Sequence, residues 1–186
     1  MLRSSRVSRT EVATEPVSVA ELRTHLRIDT KEHDEELRSL ITAARQTIEE
    51  VYLWKLLIDQ TCIEYYDFFS DGMELRWLPV DSITSITYLD ADAASQTLAA
   101  TVYELTHING QGVVRLKYGQ SFPTTLAHPD SVYITYVAGY GAAADVPQAI
   151  RRALLLYAGG LFDGDPPLDA MNSLLAPYVT QRVLGW

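Results

Sequence analysis

The fold of this chain is decided by Thr135-Tyr-Val-Ala-Gly-Tyr-Gly141, with Asp145-Val-Pro147 beginning four positions later. β-branched and aromatic residues alternate up to this point, which predicts the last β-strand of a sheet. Gly139 and Gly141 allow the positive φ or the close backbone approach with which a chain leaves a sheet. Asp145 is expected to cap the helix that follows, and Pro147 to lie in its first turn, where a missing N–H costs nothing. These four residues predict a strand-to-helix junction.

Two helices are predicted near the N-terminus. Ser18-Val-Ala-Glu21 is a capping box, in which each side chain bonds the other residue's backbone N–H, and its helix ends near residues 26–28. A longer helix is predicted over residues 35–53, with Asp34 as its cap. Its apolar residues recur at helical spacing and share one face. They are Leu37, Leu40, Ile41, Ala44, Ile48, Val51 and Tyr52.

Two more helices are predicted after the junction, and strands between the two pairs. The later helices cover residues 146–162 and 168–176, with Gly159 and Gly160 weakening the end of the first. Between residues 59 and 138 the apolar period changes to two, and turn residues such as Asn109-Gly110 divide the segment. The predicted strands are 61–69, 74–78, 82–90, 101–106, 112–118 and 131–138.

The predicted fold class is α+β, a helical bundle of N- and C-terminal helices interrupted by a β-rich insert. Short strands at this spacing are typical of an antiparallel, sandwich-like arrangement. The domain boundaries follow from these elements. They are a flexible N-terminus (1–15), a helical bundle (16–58 and 139–176), a β-rich insert (59–138) and a C-terminal tail (177–186).

Composition limits the kinds of partner. The 186 residues include 24 acidic and 15 basic side chains, a formal charge of −9. This balance argues against a broad grip on nucleic-acid phosphates, although a like-charged wall would still let DNA slide past. No run approaches the roughly 18 apolar residues of a membrane span, and no apolar core follows Arg3, Arg6 and Arg9, so neither a membrane partner nor a secretory signal is expected. Cys62, the single cysteine, is expected to pack as a small hydrophobic residue.

Candidate catalytic groups are few. The four histidines are scattered and lack the spacing of a zinc site, so no metal and no cofactor are expected. Glu64 and Glu74 flank the first hairpin, and a carboxylate pair is the minimum for glycoside hydrolysis. We favour the interpretation of a solvated hairpin edge, because Asp71 between them lies in a turn where aspartate is common. The sequence therefore predicts no catalytic residue and no enzyme.

Apolar residues continue past the last predicted helix. Aromatic residues are enriched at protein interfaces, and chain ends are usually poorly ordered. Two interpretations stay open for this segment: it folds back onto the bundle, or it is buried in a partner. Its residues are Leu174, Leu175, Tyr178, Val179, Val183, Leu184 and Trp186.

Five segments in order carry a family resemblance. They are Pro16-Val-Ser-Val-Ala-Glu-Leu-Arg-Thr-His-Leu-Arg27, Leu40-Ile-Thr-Ala-Ala-Arg45, Leu78-Pro-Val-Asp-Ser-Ile-Thr-Ser-Ile-Thr-Tyr88, the 135–141 stretch and Asp145-Val-Pro147 with its apolar helix. Over residues 16–162 the chain resembles the head–tail connector (adaptor) proteins of tailed bacteriophages and gene transfer agents. It departs from the family's usual pattern at 157–163, which leaves the end of that helix open.

The resemblance implies a structural protein of the virion neck, between capsid and tail, assembled in the host cytoplasm. It implies a closed homo-oligomeric ring, commonly of twelve copies, through which double-stranded DNA passes without sequence-specific binding. It further implies a portal protein on one face, which the C-terminal segment reaches into, and a stopper or tail-completion protein on the other. A different neck or tail-tip protein with a β-sandwich binding role is one alternative, and a carboxylate-dependent glycosidase that uses Glu64 or Glu74 is the other.

Overall fold

The computed structural model of the chain describes residues 4–179, which form two compact units. A β unit consists of residues 4–11 and 59–139, and a helical unit consists of residues 12–58 and 140–179. The predicted α+β class is confirmed, with helices and two antiparallel sheets. No helix within residues 4–179 has the length and apolar character needed to cross a bilayer.

The helical unit is built from two helices on each side of the β segment. Its regular elements within the described residues are α1 (Val19–Leu26), α2 (Asp34–Thr47), a π-helical turn (Ile48–Leu53), α3 (Gln148–Asp163), α4 (Leu168–Leu175) and a 3₁₀ turn (Ala176–Tyr178).

The start of α1 confirms the capping box. Ser18 Oγ accepts a hydrogen bond from the Glu21 N–H at 3.2 Å, and Glu21 Oε2 accepts one from the Ser18 N–H at 2.7 Å. The start of α2 differs from the prediction that Asp34 caps it. Asp34 is already helical, and His33 occupies the cap position without a side-chain cap bond. Asp34 instead pairs with Arg23, whose Nε lies 3.1 Å from its Oδ1.

Buried aliphatic side chains from α2, α3 and α4 form the core of the helical unit. A fully buried Leu or Ile contributes about 1.5–3 kcal/mol, so this core supplies the main stabilisation. The predicted stripe fails at Val51, whose side chain is 64% exposed. The π-helical turn adds one residue to the repeat, which rotates the later positions away from the core. The fully buried members include Leu37, Ile41, Ala44, Ile48, Ile150, Ala153, Leu154, Ala158, Met171 and Leu175.

The two glycines near the end of α3 allow a close packing contact. A Cβ on Gly160 would lie 2.5 Å from Pro166 Cα, and the Gly160 carbonyl accepts a hydrogen bond from the Asp165 N–H at 2.9 Å. Helix α3 therefore continues through both glycines and ends at Asp163. The chain then turns back across the last helical turn, where a side chain would not fit.

The β unit contains two antiparallel sheets. The first has five strands in the order β1-β2-β8-β4-β5, and the second has three in the order β3-β7-β6. The strands are β1 (Arg6–Arg9), β2 (Gln60–Tyr66), β3 (Met73–Glu74), β4 (Val80–Leu89), β5 (Ser95–Thr97), β6 (Tyr103–Ile108), β7 (Gln111–Leu116) and β8 (Val132–Ala138).

Three elements of the β unit differ from the prediction. The flexible N-terminus predicted over residues 1–15 is wrong at Arg6–Arg9, because these residues form a strand that pairs with β2. No sequence signal predicts this strand, since Val7 is its only apolar residue. Strand β5 also went unpredicted, since all three of its residues are exposed. The strand expected over 74–78 is reduced to Met73–Glu74, although Leu75, Trp77 and Leu78 are buried.

Strands β2 and β8 lie side by side at the centre of the larger sheet and show strict alternation of burial. Gln60 pairs with Ala138 and Cys62 with Tyr136, so the first and last residues of the 60–138 segment are neighbours. Cys62 is buried, as predicted. Just beyond this pair, Gly139 has φ +148°, and a Cβ there would lie 2.6 Å from the Asp59 backbone N and Cα.

We predict that Gly139→Ala destabilises the protein strongly, because the new methyl group meets backbone that no rotamer change can move. The left-handed φ alone costs an L-residue about 1–2 kcal/mol, and the overlap adds to it. Gly119→Ala is the matched control: its φ is +75°, but no atom lies within 4 Å of the added Cβ. Urea unfolding measures both, and equal losses of unfolding free energy would contradict the close-approach argument.

Candidate assembly surface

A buried ion cluster fixes the end of α2. Arg45 Nε donates a hydrogen bond to Glu15 Oε2 at 2.7 Å, and Arg45 Nη1 donates one to Glu49 Oε2 at 2.9 Å. The other Glu49 oxygen accepts the Leu57 N–H at 2.9 Å. Burial alone would lower the pKa of Arg45, but Glu15 and Glu49 hold it above its ordinary value. The cluster thus ties three separate segments of the helical unit together.

The sequence gives little signal for this cluster, because Arg45 and Glu49 lie beside the apolar stripe of the helix, where charged residues are usually exposed. Arg45 is only 6% exposed and Glu49 is fully buried. The available signal was the i, i+4 spacing of opposite charges beside the apolar stripe, which a solvent-exposed pair shows equally well. Glu15 lies 30 residues away in sequence, so its part in the cluster had no local signal.

The C-terminal segment divides into a packed part and an exposed part. Leu175 is 1% exposed and belongs to the core, and Leu174 and Tyr178 are half-buried against it. Lys55 Nζ donates a hydrogen bond to the Tyr178 carbonyl at 2.6 Å. Val179 is 48% exposed. Up to Tyr178, therefore, the segment folds back onto the helical unit. The remaining predicted partner-binding residues, Val183, Leu184 and Trp186, lie outside the described residues.

The strand-to-helix junction forms with a different role for Asp145. Gly139 and Gly141 have positive φ, +148° and +108°, as expected. Asp145 does not cap α3, whose cap position is Pro147, where no side chain bonds the helix. Instead, Asp145 Oδ2 accepts the Ala142 N–H at 2.9 Å and closes the turn before the helix. The carboxylate bonds three residues backwards because α3 begins later than predicted, at Gln148.

Glu64 lies inside the β unit and is not at a solvated edge, so our preferred interpretation of this residue is wrong. Its side chain is fully buried. One carboxyl oxygen accepts hydrogen bonds from the Tyr136 hydroxyl and the Arg76 N–H. The other lies 3.0 Å from the Tyr66 hydroxyl, which is also 2.8 Å from the Glu74 carbonyl.

The single hydrogen of the Tyr66 hydroxyl favours the protonated form of the Glu64 carboxyl. A hydroxyl has one hydrogen, so Tyr66 satisfies both contacts only when it donates to the Glu74 carbonyl and accepts from the carboxyl O–H. Burial raises the pKa of Glu64, against the lowering effect of its hydrogen bonds, which agrees with this count. A fully buried carboxyl of this kind holds strands together and has no access to a substrate.

We searched the part of the chain that the structure describes for metal ligands and for a histidine placed to transfer a proton. No three His, Cys, Asp or Glu side chains within residues 4–179 converge as metal ligands. His25 is flanked by two shallow grooves between α1 and α3, and its Nδ1 lies 3.1 Å from Arg152 Nη1. Burial, with the charge of Arg152, lowers the pKa of His25. The neutral imidazole of His25 can therefore accept a hydrogen bond from the Arg152 guanidinium.

Exposed apolar side chains mark surfaces that are available for assembly. In the helical unit they are Val51, Leu168 and Val179. In the β unit, Phe68 is 52% exposed next to Phe69, whose ring stacks on Phe122 at 4.6 Å. Tyr118 is fully exposed.

Comparison with known proteins identifies the family. The family model for head completion protein matches residues 15–157, so this chain belongs to the head completion protein family. It is a structural protein of a virion and not an enzyme, which confirms the prediction and removes the glycosidase alternative. A search of curated proteins found no match.

Solved structures of a gene transfer agent contain similar chains. A chain in the neck of the empty particle, computed with C6 symmetry, has 24% identity and a TM-score of 0.76, and one in the virion of the native particle has 26% identity and a TM-score of 0.75. A chain in the neck of the native particle, computed with C12 symmetry, has 24% identity and a TM-score of 0.76. Each comparison covers 96% of this chain and 98% of the other. The resemblance to connector proteins stated from the sequence is confirmed.

Arg45→Ala is expected to destabilise the helical unit by about 3–5 kcal/mol, because it leaves the Glu49 carboxylate buried without its counter-charge. Arg38→Ala on the same helix is the control, since Arg38 pairs with Glu35 in solvent and its loss should leave stability unchanged. Urea unfolding compares the two variants. If the Arg45→Ala variant unfolded at the same urea concentration as the Arg38→Ala variant, the cluster would contribute nothing to the free energy of unfolding.

Glu64→Gln is expected to change the pH dependence of stability. Because the folded pKa of Glu64 is raised, its contribution is fully present below the unfolded pKa of about 4.3 and is lost as pH rises through the folded pKa. The free energy of unfolding of the unmodified protein should therefore fall relative to that of Glu64→Gln as pH increases. Urea unfolding of both proteins at a series of pH values, from about pH 4 upwards, measures the difference between their free energies of unfolding. A constant difference would mean that the pKa of Glu64 is the same in the folded and unfolded states, and a rise with pH would mean that the folded carboxyl is ionised.

Proposed function

We propose that this protein is the head–tail adaptor of a virion neck, forming a closed ring directly beneath the portal. The observation that carries the proposal is the family match over residues 15–157 together with similarity along 96% of the chain to neck proteins. One of those necks was computed with C12 symmetry and another with C6 symmetry. A neck with C12 symmetry favours a ring of twelve copies.

The proposed ring encloses a passage for double-stranded DNA. The formal charge of −9 supports a channel that repels the phosphate backbone, so that DNA passes without adhering or being read. Screening at physiological salt limits this repulsion to about 8 Å, so it acts on DNA that approaches the wall. The protein needs no cofactor for this role, since it supplies surfaces and not reacting groups.

The two faces of the proposed ring bind different proteins. One face contacts the portal protein, and the other contacts a stopper or tail-completion protein. The ring is located in the neck between capsid and tail, after assembly in the host cytoplasm, and binds no membrane. A ring of this type joins two different faces of each subunit, for which the exposed apolar residues of both units are available.

We assign portal binding to the end of the C-terminal segment. Leu175 is committed to the core, and Leu174 and Tyr178 pack against it, so these residues hold the segment at its base. Val179, Val183, Leu184 and Trp186 are the apolar residues that follow. A terminal tryptophan among aliphatic residues has the character of an interface anchor.

Negative-stain electron microscopy of the purified protein mixed with its portal tests the ring. We expect annular particles with twelve-fold symmetry attached to the portal. The protein alone serves as a comparison, because assembly on a template requires the portal. A protein that stays monomeric at micromolar concentration with the portal present would overturn the proposal.

Trp186→Ala together with Leu184→Ala is expected to weaken portal binding by at least tenfold, because truncating an anchor residue typically costs 2 kcal/mol or more, roughly. Thermal unfolding should be unchanged. Lys31→Ala, at an exposed charged residue of the helical unit that is not among the exposed apolar side chains, is the control and should bind as the unmodified protein does. Surface plasmon resonance on immobilised portal measures all three, and unchanged affinity of the double variant would refute the assignment.

A further inference from the structure

Strand β6 (Tyr103–Ile108) forms an outer edge of the three-stranded sheet. Strand β7 pairs with one side of it, and no described strand pairs with the other side. Glu104, His107 and Ile108 are exposed, and Leu105 and Thr106 are half-buried. This edge is therefore open to solvent in the isolated chain.

The β6–β7 turn determines which backbone groups face outwards. Asn109 and Gly110 have φ +53° and +79°, the signature of a two-residue type I′ turn closed by Ile108 and Gln111. In such a hairpin the closing pair is hydrogen-bonded, and every second pair after it. Ile108, Thr106 and Glu104 therefore bond to β7.

The backbone of Leu105 and His107 consequently points away from β7. Two further bonds agree with this phase: the Lys117 N–H bonds the Val102 carbonyl at 3.0 Å, and the Gly72 N–H bonds the Val114 carbonyl at 3.2 Å on the other side of β7. Within the described chain, no backbone group outside the β6–β7 ladder bonds Leu105 or His107. The open edge thus presents two N–H and two C=O groups in register.

Strand β6 is longer than the other edge strands of the β unit. Natural edges are protected by short length, by charged side chains (lysine above all), by proline or by a bulge. Two of the other described edges are very short: β3 has two residues and β5 has three. Strand β6 has six residues, contains no lysine or proline, pairs with β7 without a register shift, and carries Glu104 as its one acidic side chain. It has the properties of a strand that is paired in the assembly.

We propose that β6 of one copy pairs with β1 (Arg6–Arg9) of the next copy around the ring. The proposal rests on the proposed function, because a cyclic assembly joins two different surfaces of each subunit. Strands β1 and β6 are edges of different sheets, so each copy offers both halves of the contact within its β unit. Their exposed charges are opposite: the Arg6 side chain lies 3.6 Å from Asp130 but is still 62% exposed and open to a second carboxylate, and Glu104 is exposed on the open strand. Main-chain hydrogen bonds then supply the affinity, as in other strand additions.

His107→Pro tests the pairing directly. Proline removes an outward N–H and leaves the β7 ladder intact, which is the position in which edge strands tolerate it. His107→Ala is the matched control, because it loses the same side-chain contact with the Val80 carbonyl but keeps the N–H. With portal present, we expect rings from His107→Ala at the yield of the unmodified protein and at least a tenfold lower yield from His107→Pro.

Cysteine cross-linking provides a second measurement if His107→Pro does not fold. The only native cysteine, Cys62, is buried, so Ser8→Cys and Ile108→Cys are the sole reactive sites when introduced. A short bismaleimide should link the double variant into a ladder of oligomers, while each single variant stays uncross-linked. In a head-to-tail interface, a residue of one subunit does not lie against the same residue of the next subunit.

The outcomes separate the two proposals. Rings that form equally well from His107→Pro and His107→Ala, or a double-cysteine variant that assembles without cross-linking, would overturn the β6–β1 contact and leave the ring in place. Cross-linking of the Ile108→Cys single variant would also overturn it, since β6 would then meet β6. Failure of the unmodified protein to form any ring on the portal would overturn both.

Discussion

The close approach of Gly139 to the backbone of Asp59 is the constraint on which the rest of the structure depends. The chain enters the β segment at Asp59 and leaves it at Gly139, and the pairing of β2 with β8 makes these points neighbours. Because the ends of the segment meet, helices that are about a hundred residues apart in sequence share one core. Only glycine fits at this point, where a positive φ coincides with a neighbouring backbone.

Buried polar clusters in each unit fix chain segments and perform no chemistry. In the helical unit, Glu49 holds Arg45 and the Leu57 backbone; in the β unit, Glu64 is closed in by Tyr66 and Tyr136. Both carboxyl groups are fully buried and satisfied, which gives specific geometry at the expense of access. A structural protein of the virion needs defined geometry and no reacting groups, and membership of the head completion protein family agrees with this.

Sequence reasoning succeeded where the determining interaction is local. The Ser18–Glu21 box, the helical stripe up to Ile48 and the glycines of the junction each act within a few residues, and each was predicted correctly. The predictions that Asp34 and Asp145 cap helices were wrong because each carboxylate has another partner. Asp34 pairs with Arg23, and Asp145 accepts a hydrogen bond from the Ala142 N–H. Strand β1 was missed because its strand character comes from the edge it pairs with. The contacts of a ring lie between copies, so the sequence signals them only through family resemblance.

A cryo-electron microscopy reconstruction of the neck in intact particles that contain this protein tests whether it forms the ring. We expect twelve copies of this fold in a closed ring between portal and tail, enclosing a channel wide enough for double-stranded DNA. Density for the fold at the tail tip, or copies arranged without a closed ring around the DNA path, would contradict it.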